Sequence, residues 1–139
     1  MKNYFVFIVL VFLSLAVPVR MHAQDSKKYN STFIPQKYIN DTSRTTLVML
    51  TASWCGPCKA MKQSVMTDTK VQEVLSQMNV LYIDVDSNDG KIYSERFKIA
   101  GYEGSIPFFA ILDTSGNVIS SSTGYMKVDK FRRFLSNTD

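Results

Sequence analysis

A chain of 139 residues, 45% hydrophobic and 20% charged, is long enough for one compact core and too short for two. Its 16 basic and 12 acidic side chains leave a formal charge of +4, with the basic residues scattered along the sequence, which does not point to nucleic acid. Two cysteines and one histidine give almost nothing from which to build a metal site or a Cys–His nucleophilic pair.

In chain order, Lys2 precedes an uncharged apolar run from Tyr4 to Val19, followed by Arg20-Met21-His22-Ala23-Gln24. A positive start, an apolar middle and a small residue before a cut describe a secretory signal over residues 1–23, cleaved after Ala23. The run is short for a bilayer span of about 20 residues, and an uncleaved membrane anchor is the alternative. Cleavage removes Lys2 and Arg20 but no acid, so the mature charge falls to +2, and His22 leaves with the signal. A periplasmic location is the expectation.

Residues 24–45 read as a polar linker and a poorly determined first element, a short strand or a helical turn around Phe33-Ile34-Pro35 and Tyr38-Ile39. The domain proper is expected over 46–139. Leu47 to Ala52 is uncharged and nearly all apolar, as suits a central strand covered on both faces. Cys58, Met61 and Val65 then recur at helical spacing, and Asp68 or Thr69 caps a second helix carrying Val71, Val74, Leu75 and Met78, ended by Asn79. Val80 to Val85 predicts a second buried strand, Asp86 to Gly90 a turn, and Lys91 to Phe97 a short helix. Phe108 to Leu112 and Val118 to Ser122 flank the turn Asp113-Thr114-Ser115-Gly116-Asn117 as a hairpin, and Val128 to Ser136 closes the chain as an amphipathic helix. Such an order implies an α/β domain, one mixed sheet with helices on both faces.

Trp54-Cys55-Gly56-Pro57-Cys58 holds both cysteines. A pair spaced C-x-x-C at the mouth of a helix places one sulfur among free backbone N–H groups at the positive end of the helix dipole, and the other one turn inside. Cys55 is therefore the nucleophile, and Cys58, on the apolar face with Met61 and Val65, is the resolving thiol. Pro57 suits the first helical turn, where its missing N–H is not needed, and Gly56 admits a partner chain. A structural staple is the alternative, but so small a ring contributes only about 2 kcal/mol through chain entropy.

This segment resembles the active site of thioredoxins residue for residue, and the element order resembles the thioredoxin fold from about Thr46 to Asn137. By itself, Pro107 in Ser105-Ile106-Pro107 reads as an edge-strand proline. The resemblance implies instead a cis proline facing the cysteines, with the backbone of Ile106 pairing to a client strand. It likewise implies that Thr123 and Gly124 form the third loop of the docking groove and that Trp54 is a contact wall. Family members carry a buried acid where this chain has Met49, and a partner lysine whose position is read as Val80; an apolar replacement of that pair leaves Cys58 without its usual base.

The resemblance implies a thiol–disulfide oxidoreductase whose only redox group is the Cys55–Cys58 disulfide, with no metal or other cofactor. Gly-Pro between the cysteines accompanies a strongly reducing potential in thioredoxin, about −270 mV. The expectation is a reductant of extracytoplasmic protein disulfides, recharged by a membrane-embedded thiol reductase. Net disulfide oxidation or isomerisation, and a non-catalytic client-binding module, are the alternatives.

Overall fold

The computed structural model describes residues 33–34 and 38–137; the expected signal segment and most of the expected linker lie outside them. Strand β1 (Thr46–Thr51) is buried along its whole length. Its side chains alternate between two cores: Leu47 and Met49 enter one cluster with Cys55 and Cys58, whereas Val48 and Leu50 enter the other. That two-sided burial is what an uncharged strand flanked by two helical layers requires.

The chain then forms α1 (Gly56–Ala60), which widens without a break into a π turn over Met61–Val65, where the Met66 N–H donates to the Met61 carbonyl at 2.8 Å. Helix α2 (Thr69–Leu75) starts at the expected place, with the Asp68 carboxylate accepting from the Lys70 N–H at 2.9 Å. Asn79 does not end this helix. It opens β2 (Asn79–Asp84), where its side-chain amide donates to the Asp41 carbonyl at 2.7 Å and fastens the preceding turn to the sheet.

The sheet order is β2-β1-β3-β4, with β3 (Phe108–Leu112) and β4 (Val118–Thr123) joined as a hairpin. Strand β2 runs parallel to β1, whereas β3 is antiparallel to both β1 and β4. The expectation of a buried second strand therefore fails: Val80 is 36% and Tyr82 48% exposed, and among the described residues β2 lies at the sheet edge. Helix α3 (Asn88–Phe97) starts earlier than expected because Ser87 caps it, its hydroxyl accepting from the Gly90 N–H at 2.9 Å. The residues read as turn chemistry also serve as capping chemistry. Helix α4 (Val128–Ser136) buries Phe131 and Leu135.

Buried residues of α1, α2 and α4 share the cysteine-side cluster, and Tyr93 and Phe97 of α3 belong to the other. The sheet is thus covered on both faces, in the architecture of the thioredoxin fold.

Candidate active site

The redox pair sits where the C-terminal end of β1 gives way to α1. Cys55 has extended backbone (φ −77°, ψ 101°) and occupies the N-cap, and its sulfur accepts the Cys58 N–H at 3.1 Å. A sulfur thus takes the place of the oxygen that usually caps a helix. Cys55 and Cys58 form a disulfide with Cα atoms 5.2 Å apart. Cys55 keeps 3% of its surface and Cys58 none, so what access remains to the pair is through Cys55. Pro57 lies in the first helical turn, and beside Gly56 there is open space within 4 Å of where a side chain would begin.

Trp54 is 66% exposed and is held from below, its indole N–H donating to Asp86 Oδ2 at 2.7 Å. Parallel pairing explains the contact. Thr51 stands opposite Asp84, so the chain leaving β1 and the chain leaving β2 emerge side by side. Asp86 was not among the residues singled out from sequence; the available signal was an acid just beyond the second parallel strand.

The Ile106–Pro107 bond is cis. The edge-strand reading of Pro107 does not hold, because the strand it precedes is flanked on both sides by β1 and β4. The Gly124 N–H donates to the Pro107 carbonyl at 2.7 Å, tying the third loop to the cis proline. Gly124 adopts φ +90°, a conformation that side chains disfavour. Two residues on, the Met126 N–H donates to Met61 Sδ at 3.3 Å, so a methionine of the cysteine-bearing helix anchors the same loop. Ile106 packs against the cluster holding both cysteines, and exposed Thr123 ends β4 opposite Phe108. The expected loop residues therefore lie at the end of the sheet where β1 finishes, since Leu50 pairs with Phe108 and Phe108 with Thr123, while Ile106 touches both cores.

Met49 is fully buried in the cluster that holds both cysteines. The assignment of Val80 as its neighbour is corrected by the register, which sets Leu47 opposite Val80 and Met49 opposite Tyr82. The Tyr82 hydroxyl donates to Met66 Sδ at 3.8 Å, and the Lys62 ammonium lies 5.8 Å from its ring centre. Burial raises the Tyr82 pKa, so the phenol stays protonated at neutral pH. Next along the cysteine face, Thr51 carries a buried hydroxyl without a hydrogen-bond partner. Among the described residues no group of three or more His, Cys, Asp or Glu could hold a metal ion.

A family model described as thioredoxin-like matches residues 37–114. The chain belongs to the thioredoxin-like family. The thiol:disulfide interchange protein DsbD of Pseudoalteromonas atlantica is 31% identical over 102 residues, covering 70% of this chain but 17% of that protein. The chain thus spans about a sixth of the length of such relatives. Among solved structures, a thioredoxin from Thermus thermophilus aligns with a TM-score of 0.58 at 21% identity over 67% of this chain and 72% of its own. The oxidised C-terminal domain of Neisseria meningitidis DsbD aligns with a TM-score of 0.54 at 17% identity over 70% and 83%, respectively. These two likenesses concern the fold.

Proposed function

We propose that the protein is an exported thiol–disulfide oxidoreductase that reduces disulfides of extracytoplasmic proteins. The observation that carries this reading is the Cys55–Cys58 disulfide at the start of α1, with the Cys55 sulfur as helix cap. On reduction, the N–H and dipole that face this sulfur favour its thiolate, whereas the deeper Cys58 stays a thiol.

The Cys55 thiolate attacks one sulfur of a client disulfide, whose S–S bond breaks, giving a Cys55–client mixed disulfide and a client thiolate. Cys58 then loses its proton and attacks the Cys55 sulfur, which closes the Cys55–Cys58 bond and releases the second client thiolate. Two electrons have passed to the client, and water supplies the protons that its thiolates take up. The Ile106 backbone beside cis-Pro107, with Thr123 and Gly124, holds the client strand, and Trp54 walls the groove. Met49 cannot accept the Cys58 proton, so resolution relies on water or on the client thiolate released in the first step and is slower than in members with a carboxylate there.

Similarity to thiol:disulfide interchange proteins supports exchange with protein thiols and disulfides, and the N-terminal run supports export, where a membrane-embedded thiol reductase would supply the electrons. The Gly-Pro dipeptide favours the reducing direction.

The decisive measurement is the reduction potential, expected below about −200 mV; a higher value reverses the direction of exchange. Insulin-disulfide reduction by the parent protein and by Cys58→Ser tests the exchange itself. The variant loses turnover and accumulates a mixed disulfide through Cys55, whereas a mere client-binding module shows no activity in either form.

A further inference from the structure

The basic residues, scattered in the sequence, are gathered by the fold. The cysteine-side helical layer carries Lys59 and Lys62 in α1 and its π turn, Lys70 in α2, and Lys127, Lys130, Arg132 and Arg133 in or beside α4. Against these seven cations stand three acids, Asp68, Glu73 and Asp129, a net charge of +4. The other described segments, 38–51 and 79–123, carry four cations and seven acids, a net charge of −3. All seven cations of the helical layer are exposed except Lys62, which is half-buried. Among the described residues the two close ion pairs, Arg44–Asp41 and Lys98–Glu95, both lie outside this layer. The charges of the layer are therefore not consumed internally, and they act on whatever approaches.

The layer also borders the redox pair. Lys59 directly follows Cys58, and Lys127 follows Met126, whose N–H is held by Met61 of the cysteine-bearing helix. A partner meeting this face while its sulfur meets Cys55 must present a disulfide and negative charge together, which an acidic protein does and a bilayer does not.

We propose that the α1–α2–α4 face is the docking surface for acidic protein clients, so that disulfides flanked by carboxylates are exchanged in preference to those flanked by cations. This rests on the oxidoreductase reading and names its substrate class.

The test uses the full chain and two synthetic disulfide peptides of equal length, one with glutamates flanking the cystine and one with lysines. At about 20 mM salt the acidic peptide is reduced roughly tenfold faster, and at about 500 mM the advantage shrinks to about twofold or less. The triple variant Lys130→Glu, Arg132→Glu, Arg133→Glu, with an unchanged melting temperature, loses most of the preference while reducing a small neutral disulfide at the parental rate. Equal rates on the two peptides at low salt, or a preference that survives the triple variant, overturn the proposal. So does binding to anionic phospholipid vesicles that the acidic peptide fails to compete away, which would assign the face to a membrane. Failure of the parent protein to exchange even the neutral disulfide removes the oxidoreductase reading itself, and this proposal with it.

Discussion

Met49→Asp isolates the step in which this site departs from its family. Met49 has no exposed surface and packs with both cysteines, so the substitution places a carboxyl in a fully apolar environment. Lost packing costs about 2–3 kcal/mol, the lower part of the range for truncating a buried methionine. Burial raises a carboxyl pKa by roughly 3 units at such a depth, from about 4 to about 7. Because the folded-state value is raised, the variant is most stable below pH ~4 and loses about 1.4 kcal/mol per pH unit as the pH rises from there to the folded pKa. Near pH 7 the total penalty approaches 6–7 kcal/mol, a large share of a small domain's stability, so kinetics are best read near pH 6. There the new carboxylate, titrating close to the working pH, can take the Cys58 proton, and resolution should accelerate roughly 10- to 100-fold. Reduced protein mixed with dithionitrobenzoate releases one equivalent of thionitrobenzoate as Cys55 reacts and a second as Cys58 resolves. The second phase should quicken in the variant and leave the first little changed. A folded variant, verified by near-ultraviolet circular dichroism, that resolves at the parental rate from pH 5 to 7 would refute the idea that Cys58 lacks a base.

Other substitutions probe the frame around the site. A methyl group at Gly90 would lie 1.8 Å from the Asp84 carbonyl oxygen, so Gly90→Ala should destabilise by about 2 kcal/mol or more despite alanine's helix propensity, lowering the melting temperature by roughly 10 °C. Thr51→Val removes a buried hydroxyl that has no partner and should raise stability by about 1 kcal/mol, read by urea unfolding. Trp54→Phe breaks the bond to Asp86 on a largely exposed side chain; kcat/KM for a protein client should fall severalfold with stability within about 0.5 kcal/mol of the parent. For Asp113, burial alone would raise the pKa, but hydrogen bonds from Asn117, Ser115 and Gly116 outweigh it and lower the value. A lowered folded-state pKa contributes stability above about pH 4 that disappears as pH falls through the folded value. Asp113→Ala should therefore lower the melting temperature at pH 7 and have a smaller effect at pH 2, if the turn is measured in both conditions by thermal unfolding.

What could be read from the sequence follows from how local the cause is. The uncharged run of β1, the Asp68 cap and the amphipathic pattern of α4 each express a rule acting over a few residues, and each element lies where that rule puts it. The π turn was not legible because Cys58, Met61 and Val65 share a face in either helix form; the choice lies in which carbonyl the Met66 N–H takes. The edge position of β2 was hidden by Val80, Leu81, Tyr82 and Ile83, an apolar run that looks buried whether or not a neighbour covers it. The same register set Tyr82, not Val80, across from Met49, a matter of pairing two residues out of step with the alignment by motif. Contacts between distant segments were the hardest to anticipate. Trp54 and Asp86 meet only because two parallel strands end together, and Met61 reaches Met126 across 65 positions.

Charge is the property that sequence inspection most undervalued here, since no stretch of the chain is conspicuously basic, yet the layering of the fold sorts a net +4 onto one side and −3 onto the rest. This sorting separates two tasks that one small site must perform. The chemistry of exchange depends on buried, uncharged surroundings: Met49 in the cluster that holds both cysteines, the Cys58 N–H on Cys55 and the cis-proline loop. Under the docking proposal, recognition at long range falls to exposed cations such as Lys130, Arg132 and Arg133 of α4, which are not among those groups. Substituting Met49 should therefore change resolution for every client by a similar factor, because the same intramolecular attack closes each cycle. Reversing charges on α4 should leave that factor alone and alter only the ratio between acidic and basic clients, with the alteration fading as salt rises. The two effects should multiply in a combined variant, since the substituted positions share no partner and act on different steps.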